Sequence, residues 1–398
     1  MLLLGLLHAG LRAVDGRRCV TRALRDSPDP GQAPVWIAAV GKAAFAMAQG
    51  AHDALGSAIA HTLVITRDRQ SQAPLPRGAP LEVLYGGHPL PDERSLHAGA
   101  RLLAWVDALP EHAQPLLLIS GGASSLVEVL APGVTLADLA ELNRSALAQG
   151  IPIGEFNARR TGVSRIKGGQ LPLRLNGRRA RALFISDVPG DDPAVIGSGI
   201  MGPTPGGPDG VQREVIASVD AAVACVATRA RELGLTVHAP VRRFDDSAAR
   251  LAARFAHELS LTPAQLCVWG GESTIVLPER PGRGGRNQHL ALAAARLIAG
   301  HADLMLLAAG TDGSDGVTED AGALVDAESC SRLTLALLDA DRCLREANSA
   351  VALAASGDLV HTGPTGTNVG DLVIGLKLSV AAARSLPPLH GGERARVL

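Results

Sequence analysis

Aromatic residues are scarce: three Trp, one Tyr and five Phe in 398 positions. So few flat side chains leave little on which nucleic-acid bases could stack. An excess of one charge is missing too, since 38 Lys and Arg stand against 39 Asp and Glu, a formal net charge of −1. No global field draws such a chain to nucleic acid or to an anionic membrane, so any anionic ligand must be held by local groups. Cysteine is sparse, at Cys19, Cys225, Cys267, Cys330 and Cys343, odd in number and never in a C-x-x-C pair. That usage argues against a disulfide framework and for buried thiols in a reducing compartment. The twelve His show no H-E-x-x-H or other tight metal spacing. No apolar run reaches the roughly 18 residues of a membrane span. The leucine-rich start lacks a basic n-region and breaks at His8 and Arg12. It reads as an amphipathic helix with Leu3, Leu4, Leu7, Leu11 and Val14 on one face, not as a signal peptide. A cytoplasmic protein with no nucleic-acid and no membrane partner is expected.

What the chain does have is glycine, 45 residues, with 25 prolines and 46% apolar residues. This is a globular composition with many tight loops, long enough for two or three domains. Short apolar runs at Val35–Val40, Leu63–Thr66, Leu81–Tyr85, Leu116–Ser120 and Ala182–Ser186 read as buried strands. Helix-spaced Ala and Leu fill 42–55, 94–108 and 135–149 between them. Such alternation builds a largely parallel sheet covered on both faces, with functional loops at the carboxyl ends of its strands. The Gly- and Pro-rich stretch 199–210 is the best boundary, giving domains 1–205 and 206–398. Beyond it the pattern predicts a helix over 211–233, strands near 267–269, 274–277, 304–308 and 372–376, and a helix over 287–299. Two α/β domains around a central cleft are expected.

The loops after the strands carry the chemistry. Gly41-Lys42-Ala43 puts a Lys in the first turn of a helix, where a cation is disfavoured unless an anion is present; a solvated surface Lys is the alternative. Ser120-Gly121-Gly122-Ala123-Ser124-Ser125 follows a buried strand and opens a helix, so its N–H groups and hydroxyls suit phosphate oxygens. Either serine could instead serve only as a cap. Arg159, Arg160, Arg165 and Lys167 lie within nine residues beside Gly168 and Gly169. They form either a solvated basic face or a site for an acidic substrate. Asp187 ends a strand, as a Mg²⁺-binding carboxylate often does, whereas Asp191 and Asp192 read as turn formers. In the second half, Glu272, Arg286 with Asn287, Asp312 with Asp315, and the loop 362–371 with Asn368 and Asp371 follow strands in the same way. Gly197–Gly202 matches the dinucleotide fingerprint G-x-G-x-x-G, but Pro203 and Pro205 follow where a helix should begin.

These residues lie in stretches that closely resemble glycerate kinases of the two-domain class, the DUF4147/MOFRL family. The stretches are VGKAAFAMA, GGHPLPDERS, ISGGASSL, EFNARRTGVSRIKGGQL, ISDVPGDDPAVIGSG, GGESTIVL, GGRNQHLALAAA, AAGTDGSDGVTEDAGALVD and TGPTGTNVGDL, in order along nearly the whole chain. The resemblance implies an α/β fold of two domains, the N-terminal one Rossmann-like. It also implies transfer of the γ-phosphoryl group of ATP to the 2-hydroxyl of D-glycerate with Mg²⁺ or another divalent cation. It assigns catalysis to Lys42, Arg286 and Asp187, and cofactor binding to Ser120, Gly121, Gly122, Ser124, Ser125, Glu272, Asp312 and Asn368. Arg160 and Lys167 would meet the substrate, Asp187 and Asp312 the metal. A homodimer is compatible with this reading. The alternatives are an NAD(P)H-dependent hydroxypyruvate reductase, a kinase of a related small hydroxy acid, and a catalytically silent binding protein.

Overall fold

Val35–Val40 (β1) and Gln114–Ile119 (β4), two of the most apolar runs in the chain, form the middle of a six-stranded sheet. Ile37, Ala38, Ala39, Leu117, Leu118 and Ile119 are all buried, as strands covered on both faces must be. The structure is a computed structural model and describes residues 2–27, 33–67, 80–149, 159–207, 209–378 and 395–396. Ile59–Thr66 (β2) and Leu81–Tyr85 (β3) extend the sheet on one side, and Ala180–Ile185 (β5) and Val211–Ala217 (β6) on the other. Every neighbouring pair is parallel, in the order β3-β2-β1-β4-β5-β6. This is the Rossmann order, so the expected Rossmann-like fold is found. Its strand order reverses between β1 and β4, the place at whose strand carboxyl ends such sheets take their ligands.

This unit consists of Asp15–Ser218 together with Gly366–Val369. Trp105, Leu102, Phe184 and Ile65 fill its core. The short return segment is tied on by Gly16 N–H donating to Gly366 O at 3.1 Å. The expected boundary at 205/206 falls before β6, and β6 pairs along its length with β5, which carries the unit on to Ser218. The predicted helix over 211–233 is thereby divided: Val211–Ala217 is an edge strand, and only Val219–Glu232 is helical. An edge strand that carries Gln212, Arg213 and Glu214, with only Gln212 fully exposed, has no continuous apolar run to announce it.

The second unit comprises Met1–Val14, Val219–Thr365 and Gly370–Leu398. The leading helix Leu2–Ala13 belongs here because its buried leucines pack with Val226, Leu307, Leu372 and Ile374. The parallel pattern does not continue. Leu266–Thr274 (β9), Leu304–Gly310 (β10), Gly322–Asp326 (β11) and Asp371–Lys377 (β13) lie in the order β11-β10-β13-β9, each neighbouring pair antiparallel. Short strands Val237–His238 (β7), Phe244–Ser247 (β8), Leu359–His361 (β12) and Ala395–Arg396 (β14) complete the sheet. The separate strand predicted at 274–277 is absent. β9 ends at Thr274, and Val276 and Leu277 are exposed. Glycines 270 and 271 sit inside β9, where Cβ atoms would crowd Val219 and Phe244; they are packing glycines, not a phosphate loop.

Candidate functional site

In the Rossmann-like unit the site begins at the carboxyl ends of β1 and β4, which are neighbours in the sheet. Gly41, at φ +131°, lies so close to Ser120 that any Cβ would overlap it. Lys42 N–H then donates to Gly121 O at 2.9 Å and Ala43 N–H to Ser120 Oγ at 3.0 Å. The two loops predicted to bind phosphate are therefore stitched together. Ser120 is fully buried, and its hydroxyl is used on Ala43. Ser125 is buried as well, and its hydroxyl donates back to Gly122 O at 3.1 Å inside its own turn, so it does not cap the helix. The helix after Gly122 is a single turn, Ala123–Leu126. Any anion at this loop must therefore be held by individual N–H groups and side chains, because a turn this short has little dipole. Lys42 precedes its helix, Ala44–Leu55, instead of lying in the first turn.

Asp187 closes on the same loop from the end of β5. A Cβ at Gly121 would overlap both Asp187 Oδ2 and Asn368 Nδ2, and Asn368 donates to Asp187 Oδ2 at 3.1 Å. Gly121 is thus required by the two side chains pressed against it. Arg160 reaches the other side of the loop, where its Nη2 donates to Ser124 O at 2.9 Å. Burial lowers the Arg160 guanidinium, with Glu128 acting against the fall. Lys167, expected at the substrate, is wholly buried and paired with Glu128. Glu128 also accepts from Ser164 Oγ at 2.6 Å and Val129 N at 3.0 Å. Burial, then the neighbouring charge of Arg160, lowers the Lys167 ammonium to about 8 in spite of Glu128. Residues 155–158 of the basic stretch lie outside the described residues.

The second unit holds the other expected residues around one buried carboxylate. Arg286 begins the helix Arg286–Leu297. Its Nε and Nη2 engage Asp371 side-on, at 2.8 and 3.0 Å, and its Nη1 contacts Glu272 within β9. Asp371 is fully buried and also accepts from Asn287 Nδ2 at 2.9 Å and Ser273 N at 3.1 Å. Burial would lower the Arg286 guanidinium, but Asp371 and Glu272 outweigh it and raise it. Asp312, expected at cofactor and metal, accepts from Ser314 N and Oγ, both at 3.0 Å, within a tight turn. Sequence reasoning noted Asp371 without assigning it a role and did not foresee how Asn287 is used. A lone Asp opening the apolar run LVIGL was the available signal, because a carboxylate there must be paired.

Asp315 was also left without a role. Its carboxylate accepts from Asn287 N at 3.1 Å and Gln288 N at 2.8 Å, capping the helix from outside. Burial pushes its carboxyl up to about 7, against those two N–H groups, and the charge of Asp371 adds to the rise. A carboxyl raised on folding binds more protons folded than unfolded, so its stability contribution is full below about pH 4 and is lost as pH rises through about 7. An Asp315→Asn variant should therefore gain on the wild type between about pH 5 and pH 8, by on the order of a few kcal/mol in denaturant melts. A gap between the two proteins that stays constant across that range contradicts this account.

Among the described residues no three His, Cys, Asp or Glu side chains gather to hold a metal. None of their helices is long and apolar enough to cross a membrane. Single carboxylates beside glycine loops suit a Mg²⁺ that travels with phosphate oxygens and waters better than one in a protein cage.

Residues 2–226 match a family described as a domain of unknown function, DUF4147, and residues 265–371 match the MOFRL family. The chain is 35% identical over 381 residues to the D-glycerate 2-kinase of Thermotoga maritima, covering 86% of this chain and 90% of that one. It is 30% identical over 436 residues to the glycerate 2-kinase of Pyrococcus horikoshii, covering 94% and 97%. The crystal structure of a glycerate kinase from Thermotoga maritima superposes with a TM-score of 0.83 at 32% identity, covering 95% of this chain and 99% of that one.

Proposed function

The chain belongs to the glycerate kinases of the DUF4147–MOFRL family, and from that premise we propose that it transfers the γ-phosphoryl group of ATP to the 2-hydroxyl of D-glycerate. The products are 2-phosphoglycerate and ADP. The observation that carries the reading furthest is the stitched pair of loops at the strand-order reversal, with Lys42 on one, Gly121 and Gly122 on the other, and Asp187 and Asn368 against Gly121.

Phosphoryl transfer asks a protein for position and for compensation of charge on the moving group. In this reading the Gly121–Ser124 turn cradles phosphate oxygens through backbone N–H groups. Arg160 holds the turn by the Ser124 carbonyl, and Lys42 neutralises the transferring group. Arg286, held in plane by Asp371, is the cation that the second unit offers to the reaction. Asp187 would meet Mg²⁺ or accept the proton leaving the 2-hydroxyl, and Asn368 orients it. Mg²⁺, when bound with ATP, neutralises charge on the phosphates. Ser120, Ser125 and Lys167 act by shaping the loops, since all three side chains are buried. A cytoplasmic location fits the five thiols, of which Cys267 is raised by burial to about 11 and is inert.

The reductase alternative would need a dinucleotide turn after the first strand. That turn is Gly41-Lys42-Ala43-Ala44, while the G-x-G-x-x-G match lies after β5 in a left-handed loop, with Gly197, Ser198 and Gly199 all at positive φ. Phosphorus NMR of a mixture with ATP, Mg²⁺ and D-glycerate separates 2- from 3-phosphoglycerate. The expected result is 2-phosphoglycerate alone, with kcat lower by about 10²-fold in Lys42→Ala. NADH oxidation by hydroxypyruvate with no phosphorylated product would reverse the assignment.

A further inference from the structure

The segment Gly86–Asp92 has no part in the roles above, yet its path is tightly fixed. Gly86 N–H donates to Thr66 O at 3.0 Å, and a Cβ on Gly86 would overlap the Leu126 carbonyl. Gly87 N–H donates to Ser95 Oγ at 2.9 Å, and a Cβ there would stand 2.6 Å from Asp92 Cγ. Asp92 caps the helix Glu93–Asp107 by accepting from Arg94 N and Ser95 N. Two glycines that admit no side chain thus press the chain against the turn after β4, and the next residue, His88, is delivered to it.

The His88 ring lies along Gly122. A Cβ on Gly122 would be 3.3 Å from His88 Cδ2 and 3.4 Å from Nε2, and 3.1 Å from Lys42 Cγ. His88 and Lys42 therefore flank one left-handed turn, at φ +82°, and both side chains are half-buried. Because Gly122 has no side chain, nothing from the turn itself stands between the ring and the lysine stem. A cation and an imidazole N–H on either side of a half-buried glycine turn are the parts of an anion site. Resting on the kinase reading, we propose that His88 is a second anion-binding side chain of the Rossmann-like unit. Its ring N–H donates to an oxygen of the anionic group, nucleotide phosphate or substrate carboxylate, that is bound at the Gly122 turn it shares with Lys42.

The test compares wild type, His88→Ala and His88→Gln in the ATP and D-glycerate assay, and follows the His88 ring resonances of the wild type during separate additions of ADP and of D-glycerate. A hydrogen bond to a charged group predicts roughly tenfold loss of kcat/KM in His88→Ala, with partial rescue in His88→Gln, which keeps a donor. The His88 resonances should move with one of the two ligands. Values of kcat/KM within twofold of wild type in His88→Ala overturn the proposal. So do ring resonances that stay fixed at saturating ADP and D-glycerate, whatever the activity of the variants, since a loss without a shift marks a packing role. Should the wild type bind ADP and move the His88 resonances without phosphorylating glycerate, the kinase reading fails and the His88 site stands.

Discussion

An Arg286→Ala enzyme should phosphorylate D-glycerate at least ~10²-fold more slowly than the wild type, with most of the loss in kcat. The reason lies in how the guanidinium is held. Asp371 takes Nε and Nη2 together, in a planar fork that only Arg can form, and is itself fixed by Asn287 and Ser273. The positioning cost is therefore met in folding, before any substrate arrives. The contact of Nη1 with Glu272 is of another kind, because the Glu272 side chain is 46% exposed and its partner is 32% exposed. A more charged acceptor can replace such a half-exposed pair, whereas nothing can replace the buried fork without leaving Asp371 alone. Asp371→Asn should therefore slow turnover nearly as much as Arg286→Ala, and adding it to Arg286→Ala should cost little more. Full additivity of the two changes would show that Asp371 acts apart from Arg286.

The parts of this arrangement that sequence alone revealed are those where one physical demand dominates. β1, β3 and β4 are short apolar runs between turn residues, and the glycine loops after β1 and β4 stand where a parallel sheet puts its ligands. A parallel sheet with its functional loops at the strand ends follows from that, and the Rossmann-like order came from the family resemblance. β6 was hidden because an edge strand half open to water keeps Gln212, Arg213 and Glu214. Gly270 and Gly271 look like a loop in one dimension, but in the sheet they make room for Val219 and Phe244. The antiparallel core of the second unit was hidden for a related reason. Strands buried on both faces read alike in either direction, and their partners are set by contacts remote in sequence. The supporting carboxylates were more visible than their roles. Asp371 opens an apolar run and Glu128, which the sequence reading passed over, lies inside one; a lone charge there must be paired, but nothing local names its partner.

Glu128→Gln should be the most destabilising of the conservative changes considered, costing about 3–5 kcal/mol at neutral pH. The wild-type carboxylate is fully buried and serves Lys167, Ser164 and Val129, with Arg160 close enough to feel its charge. Its neutralisation leaves two buried cations and no counter-charge. Lys167 already sits at about 8 with Glu128 present, because burial and Arg160 both act against its charge. Without the carboxylate it should give up its proton near neutrality. A lysine depressed on folding binds fewer protons folded than unfolded, so stability is lost as pH falls and regained as pH rises toward the unfolded value of about 10.4. The Glu128→Gln defect should accordingly shrink as pH rises to about 8, the wild-type Lys167 value, and change little above it, where both proteins regain stability alike. Adding Lys167→Met should restore most of the loss at neutral pH, since a buried pair replaced by uncharged groups of similar size costs far less than one partner left alone. Thermal melts of the single and double variants across pH check both claims. A double variant as unstable as Glu128→Gln would mean that the defect comes from lost hydrogen bonds to Ser164 and Val129, and not from an unpaired charge.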